Sequence, residues 1–211
     1  MPNPHQDTPQ TRRPLNAAIL IGGQSRRMGQ PKHLLERDGK SILDCLIETL
    51  APFVSRIALV GDQPRQLRTT SPLSILNDYP GVHGPLAGIL AALHSDKTSD
   101  WLIVACDMPA VSPAAIEWLI AQHESTKAAT LAILPNRDTA EPLLAIYTPL
   151  ALPCLEQQSR KSWTLHLATA TLDANVVKVP SALAPAWCNV NTTDEWNSFC
   201  SSQRDPEAEH V

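Results

Sequence analysis

"AAILIGGQSRRMGQPKHLL", residues 17–35, decides how the rest of the chain is read. Its first five residues (17–21) have the length and composition of a buried strand. The apolar run stops at Gly22 and Gly23, and Arg26, Arg27 and Lys32 follow. A strand that ends in glycines and cations is a place where backbone approaches an anion closely. Glycine has no Cβ in the way and adopts positive φ, and N–H groups left out of the ladder donate to phosphoryl oxygens. An ordinary glycine turn with solvated arginines is the competing reading of these residues alone.

Outward from this stretch the pattern repeats. Apolar runs at 56–61, 73–77, 101–106, 129–134, 143–147 and 175–179 alternate with helical spacing at about 41–51, 86–95, 113–123, 150–158 and 193–201. Strands alternating with helices predict an α/β fold: a single-domain, three-layer α/β/α arrangement around a mostly parallel, Rossmann-like sheet. Ser41 and Ser112, the latter followed by Pro113, are expected helix caps. In such a sheet the ligand crevice lies beyond the carboxyl ends of the strands, so chemistry is sought after residues 21, 61, 77 and 106.

Composition narrows the class. With 211 residues, 43% hydrophobic, the chain can bury one sizeable core. The formal net charge is −4 and the cations elsewhere are scattered, which argues against nucleic-acid and membrane partners and leaves a small anionic ligand. Five cysteines (Cys45, Cys106, Cys154, Cys188, Cys200) are widely spaced, without metal-ligand spacing, and read as reduced thiols. Residues 1–14 and 201–211 read as disordered tails around a domain spanning 15–200. The first 14 residues lack the apolar segment of a signal peptide and no run is long enough to span a bilayer, so a cytoplasmic location is expected.

Two familiar phosphate motifs fail. A Walker loop starting at Gly23 would need glycine where Met28 stands, and Gly29 is followed by Gln30 rather than lysine; G-x-G-x-x-G is absent. His33, His83 and His94 share no spacing, and no nucleophile elbow is present. "CDMP" (106–109) sets Asp107 at the carboxyl edge of a central strand, as a metal ligand or as a turn aspartate. "GPLAG" (84–88) opens a helix with Gly84 and Pro85. In "NVNT" (189–192) two asparagines point to one side if the chain is extended, while Thr192 or Thr193 is a candidate cap for the helix that follows.

Taken together, "LIGGQSRRMGQPKHLL", "NDYPGVHGPLAGILAAL", "WLIVACDMP", "EPLLAIY" and "CNVNTTDEW" resemble, in the same order, the molybdenum cofactor guanylyltransferases. These are nucleotidyltransferases of the nucleotide-diphospho-sugar transferase fold. The resemblance covers about residues 16–198 and implies transfer of GMP from GTP to molybdopterin, with release of pyrophosphate and dependence on Mg²⁺. It implies catalytic roles for Arg27, Lys32 and Asp107, the last as metal ligand. GTP contacts fall at Leu20, Ile21, Gly22, Gly23, Lys32, Gly61, Asp62, Asp78, Gly84, Pro85 and Asp107, and molybdopterin contacts at Lys161, Asn189 and Asn191. The GTP-binding part is expected at about 15–125 and the molybdopterin-binding part at about 126–200. Other molybdenum cofactor biosynthesis proteins and molybdoenzyme chaperones are implied as partners.

Three positions depart from the pattern. Pro31 replaces an acid, a choice more common in related cytidylyltransferases; Gly61–Asp62 stands where guanylyltransferases often carry Asn, so that Asp62 would accept from guanine; Lys161 stands where arginine is usual. A related enzyme using CTP or acting on another small phosphate, and a non-catalytic nucleotide-binding accessory protein, are the alternative readings.

Overall fold

The strand that opens the sequence argument, β1 (Leu15–Leu20), is buried on both faces, with Ala17, Ala18 and Ile19 fully enclosed. A strand without a polar face belongs in the middle of a sheet covered on both sides. In the computed structural model, which describes residues 12–21, 35–37, 39–61, 73–161 and 164–202, β1 holds that place. A short hairpin, β2 (Glu36–Arg37) and β3 (Lys40–Ser41), leads into α1 (Ile42–Leu50). There follow β4 (Ile57–Val60), β5 (Ser74–Leu76), α2 (Pro85–Ser95), β6 (Asp100–Ala105), α3 (Pro113–Ala121), β7 (Ala129–Ile133) and β8 (Ala140–Tyr147). The chain continues through α4 (Leu152–Ser159), α5 (Leu165–Thr169), β9 (Ala174–Lys178), a 3-10 helix (Ser181–Trp187) and α6 (Thr193–Ser202).

Among the described residues the main sheet has seven strands in the order β5-β4-β1-β6-β8-β7-β9. Of the six strand pairs four are parallel: β4, β5 and β6 run parallel with β1, and β7 with β9, while β8 is antiparallel to both its neighbours, β6 and β7. The expected mostly parallel α/β/α sandwich is therefore the observed one. Side chains alternate between two cores. Ala17, Ile19, Ile57, Leu59, Leu102 and Val104 meet α1, α3, α6 and the 3-10 helix on one face. Ala18, Leu20, Ala58, Val60, Trp101 and Ile103 meet α2, α4 and α5 on the other.

Local chemistry sets the helix starts. Ser41 Oγ accepts from the Asp44 N–H at 3.0 Å, and Ser112 Oγ from the Ala115 N–H at 3.3 Å, so both expected caps are in use. α2 opens instead on Gly84, whose φ of 71° places it in the left-handed region that favours glycine, with Pro85 in the first turn.

The second half is less regular than its sequence suggests. β8 begins at Ala140, ahead of the run read at 143–147, and its register with β7 jumps: Thr130 faces Ile146, but Ala132 faces Glu141. Within that bulge Leu144, fully buried, has a φ of 51°. A branched residue held there costs of order 1–3 kcal/mol, which the surrounding packing must offset. The helix expected at 150–158 begins as a 3-10 turn at Pro149–Ala151, and α5 and the 3-10 helix at 181–187 have no counterpart in the sequence reading.

Candidate active site at the carboxyl edge of the sheet

The ends of β1, β4, β5 and β6 are tied into one rim. Ile21 N–H donates to Val60 C=O (2.9 Å), Gly61 N–H to Leu76 C=O (3.1 Å) and Cys106 N–H to Leu20 C=O (3.0 Å). β1, β4 and β6 thus each pair one residue beyond their own ends, so the segments that follow emerge at a common level. Leu20 and Ile21 are buried at this rim. The Leu20 side chain lies against α2 where that helix carries Gly88; a Cβ at Gly88 would come within 2.7 Å of a Leu20 methyl. The last glycine of "GPLAG" therefore admits the helix close to β1, which fixes how far its amino end stands from the rim.

Gly61 has a φ of 126°, a conformation that residues with a Cβ rarely adopt, so an asparagine at this place would be strained on this backbone. After β5, Asn77 and Asp78 are exposed. The loop that follows folds onto α2: Tyr79 N–H donates to Ala87 C=O at 3.2 Å, and the Tyr79 ring stacks on His94, with centroids 4.8 Å apart. His94 in turn lies 2.7 Å from Glu156 of α4. Asp78, directly before Tyr79, and the Gly84–Pro85 opening of α2 are both exposed, and the helix N–H groups without intrahelical partners there give a positive end.

Asp107 lies in the turn after β6, closed by hydrogen bonds from Met108 N–H to Ala105 C=O and from Val111 N–H to Met108 C=O, both 3.3 Å. Its Oδ1 is buried although the residue as a whole is partly exposed. Its carbonyl accepts from the Val190 N–H at 2.8 Å. That bond brings the distant N-x-N element to the rim: Asn189 and Asn191 are exposed on either side of the buried Val190, as expected for an extended segment. Glu195 Oε2 accepts from Asn191 N–H (2.6 Å) and Thr192 N–H (3.2 Å), while Thr192 Oγ1 accepts from Glu195 N–H (3.2 Å). The T-x-x-E spacing of 192–195 is a capping box that holds Asn191 from its far side, and that spacing is itself the sequence signal for it.

Lys161 is exposed at the turn closing α4, where its N–H bonds Gln158 C=O (2.9 Å); it belongs to the α2–α4 layer and not to the Asp107–Asn191 set. Gly22, Gly23, Arg26, Arg27, Lys32 and Asp62 lie outside the described residues. Among the described residues no group of three or more His, Cys, Asp or Glu side chains is gathered to hold a metal. A single carboxylate at a strand end nevertheless suits Mg²⁺, which is held by one or two carboxylates while substrate phosphates and water complete its shell. None of the five cysteines forms a disulfide; Cys106 is buried and Cys188 exposed. No helix of the described residues is long and apolar enough to cross a membrane.

A three-layer sandwich with an acidic turn and a glycine-opened helix at the carboxyl rim has the form of a nucleotide-handling α/β enzyme. Residues 17–170 match the MobA-like NTP transferase domain, and the chain belongs to that family; it is a nucleotidyltransferase. Among curated proteins, the molybdenum cofactor guanylyltransferase of Shewanella putrefaciens is 28% identical over 191 residues, 90% of this chain and 97% of that protein. The molybdenum cofactor biosynthesis bifunctional protein of Synechocystis is 36% identical over 141 residues, which is 66% of this chain but 40% of that protein. Among solved structures, molybdopterin-guanine dinucleotide biosynthesis protein A of Archaeoglobus fulgidus superposes with a TM-score of 0.72 at 27% identity, covering 89% of this chain and 99% of that one.

Proposed function

We propose that this chain transfers GMP from GTP to the terminal phosphate of molybdopterin, releasing pyrophosphate, in an Mg²⁺-dependent reaction in the cytoplasm. The observation that carries the reading is the Val190–Asp107 hydrogen bond of 2.8 Å, because it joins the element expected to read the second substrate to the turn expected to hold the metal. A transfer between two anionic substrates needs both at one place, and the names of the relatives supply the substrates.

The nucleotide triphosphate would lie over the rim, with the base or ribose against Asp78, Gly61, Asp62 and the Gly84–Pro85 opening of α2, and the phosphates toward Gly22, Gly23, Arg27 and Lys32. Lysine offers a mobile point charge and arginine a fork for two oxygens, so the two cations suit separate phosphates. Asp107 would hold the Mg²⁺, which when bound offsets repulsion between the substrates and the charge left on pyrophosphate. Asn189 and Asn191 would orient the pterin through amides that both donate and accept, with Lys161 as a phosphate contact. A bond forms between the molybdopterin phosphate oxygen and the α-phosphorus while the bond from that phosphorus to the bridging oxygen breaks. The attacking oxygen is already anionic, so no general base is required. Residues of about 15–125 would then serve the nucleotide and about 126–200 the pterin. Hand-off to other cofactor-biosynthesis proteins and molybdoenzyme chaperones belongs to the same reading.

Pyrophosphate release with Mg²⁺, molybdopterin and each nucleoside triphosphate in turn tests this. Release with GTP is expected. Release with CTP alone would point to the cytidylyltransferase reading, for which Gly61 in place of Asn is the specific observation, and GTP binding without turnover would point to an accessory protein.

A further inference from the structure

The bulge in β8 and the 3-10 helix before the N-x-N element are two irregular features, far apart in sequence, that meet at one hydrogen bond. Trp187, the last residue of that helix, is buried, and its Nε1–H donates to the carbonyl of Leu144 at 3.1 Å. Leu144 is the one described residue other than glycine with positive φ, and it lies in the stretch where β8 loses register with β7. A bulge takes a residue out of the ladder and re-aims its carbonyl, which if buried must find another donor. The indole supplies it. The Trp187 ring also packs edge-on against Trp118 of α3, with centroids 5.9 Å apart and planes at 86°. Three residues later, Val190 N–H donates to Asp107 C=O at 2.8 Å. Asn189 therefore lies between two anchors, one on β8 and one on the acidic turn after β6.

We infer that Trp187 is a positioning residue: through the strained Leu144 carbonyl it sets the register of residues 188–191 against the Asp107 turn, and so governs engagement of the second substrate and not of the nucleotide. The strain at Leu144 is explained by this contact, since relaxing the bulge would turn the carbonyl away from the indole. Bulges and strained backbone of this kind gather at functional sites, where they re-aim a group. This inference rests on the reading of Asn189 and Asn191 as molybdopterin contacts.

Trp187→Phe keeps an aromatic ring beside Trp118 and removes the indole N–H. The expected result is a rise of about tenfold in KM for molybdopterin, with KM for GTP held within roughly twofold, because one buried acceptor has lost its donor on the second-substrate side only. Amide exchange at Val190 should accelerate while that at Ile103 in β6 does not. Asn189→Ala is measured alongside. If it raises KM for molybdopterin while Trp187→Phe changes neither that KM nor Val190 exchange, the clamp is overturned and the reading of the asparagines stands. If Asn189→Ala changes nothing, that reading has failed, and Val190 exchange alone upholds or overturns the clamp. A parallel rise of both KM values in Trp187→Phe, with a lower unfolding midpoint, would make Trp187 a core residue only and also overturn the inference.

Discussion

β6 carries an aspartate at one end and leads into another just past the other, and the two are treated in opposite ways. At the amino end Asp100, its side chain 2% exposed, is gripped by Arg13 Nε at 2.6 Å and His123 Nε2 at 2.9 Å. Arg13 Nη2 reaches on to Ser125 C=O (2.6 Å), and His123 Nδ1 lies 3.1 Å from Thr130 Oγ1. Beside this network Asp96, ending α2, accepts from Thr98 and Ser99, and Arg56 lies over the Trp101 ring at 5.1 Å. Arg13 and Pro14, which the sequence places in a tail, are part of it: Pro14 C=O accepts from Asp100 N–H at 2.8 Å. At the carboxyl end the chain is fixed mainly through backbone, Val190 to Asp107 and Tyr79 to Ala87, while Asp78, Gly84, Asn189 and Asn191 stay exposed. Polar side chains are enclosed in a network at one end and exposed at the other, where we propose that the substrates bind. Stability and chemistry are thus separated along the strand axis.

The separation can be broken by substitution. Asp100→Ala leaves a buried histidine and a half-buried arginine without their carboxylate, and should cost about 3–5 kcal/mol in urea unfolding while KM for GTP is unchanged. Asp107→Asn should do the reverse, lowering kcat by a hundredfold or more, about 3 kcal/mol of activation free energy, with the unfolding midpoint in place. Glu195→Ala, which removes half of the capping box, should cost about 1 kcal/mol and raise KM for molybdopterin before that for GTP. The smallest effect is a pH dependence. Hydrogen bonds from the Thr98 hydroxyl, the Ser99 hydroxyl and the Thr98 N–H hold the Asp96 carboxyl down at about 2, from an ordinary 3.8. A lowered folded-state pKa contributes stability that is fully present above about pH 4 and is lost as pH falls through about 2. Thr98→Ala should therefore be less stable than the parent at neutral pH, converge with it near pH 2, and leave turnover untouched.

The first half of the fold was legible because each β-α unit there is regular. Buried strands read as unbroken apolar runs, Ser41 and Ser112 mark helix starts, and the loops after β1, β4, β5 and β6 fall at the rim by the geometry of parallel sheets. Beyond residue 130 this regularity ends. Nothing local in "EPLLAIY" announces an antiparallel strand with a bulge, and the donor that meets the bulged Leu144 carbonyl, Trp187, is 43 residues further on. The 3-10 helix over "SALAPAW" carries Pro185 and no helical period, so it reads as loop. For the site, the residue types were readable and their assembly was not: Asp107 and Asn189 are motif residues, whereas the bond between them runs through the unremarked Val190. The network at Asp100 was invisible for the same reason, since its members come from the amino-terminal segment, β6, the end of α3 and β7.

Amide hydrogen exchange on the wild-type chain, with Mg²⁺ and GTP and then with molybdopterin added, tests the central claim most directly. The account predicts GTP-dependent protection at Gly61, Asp78 to Leu86 and Asp107, molybdopterin-dependent protection at Asn189 to Asn191, and unchanged exchange around Asp100 and His123. Protection at the amino end of the sheet, or none at the carboxyl rim despite GTP binding, would contradict it.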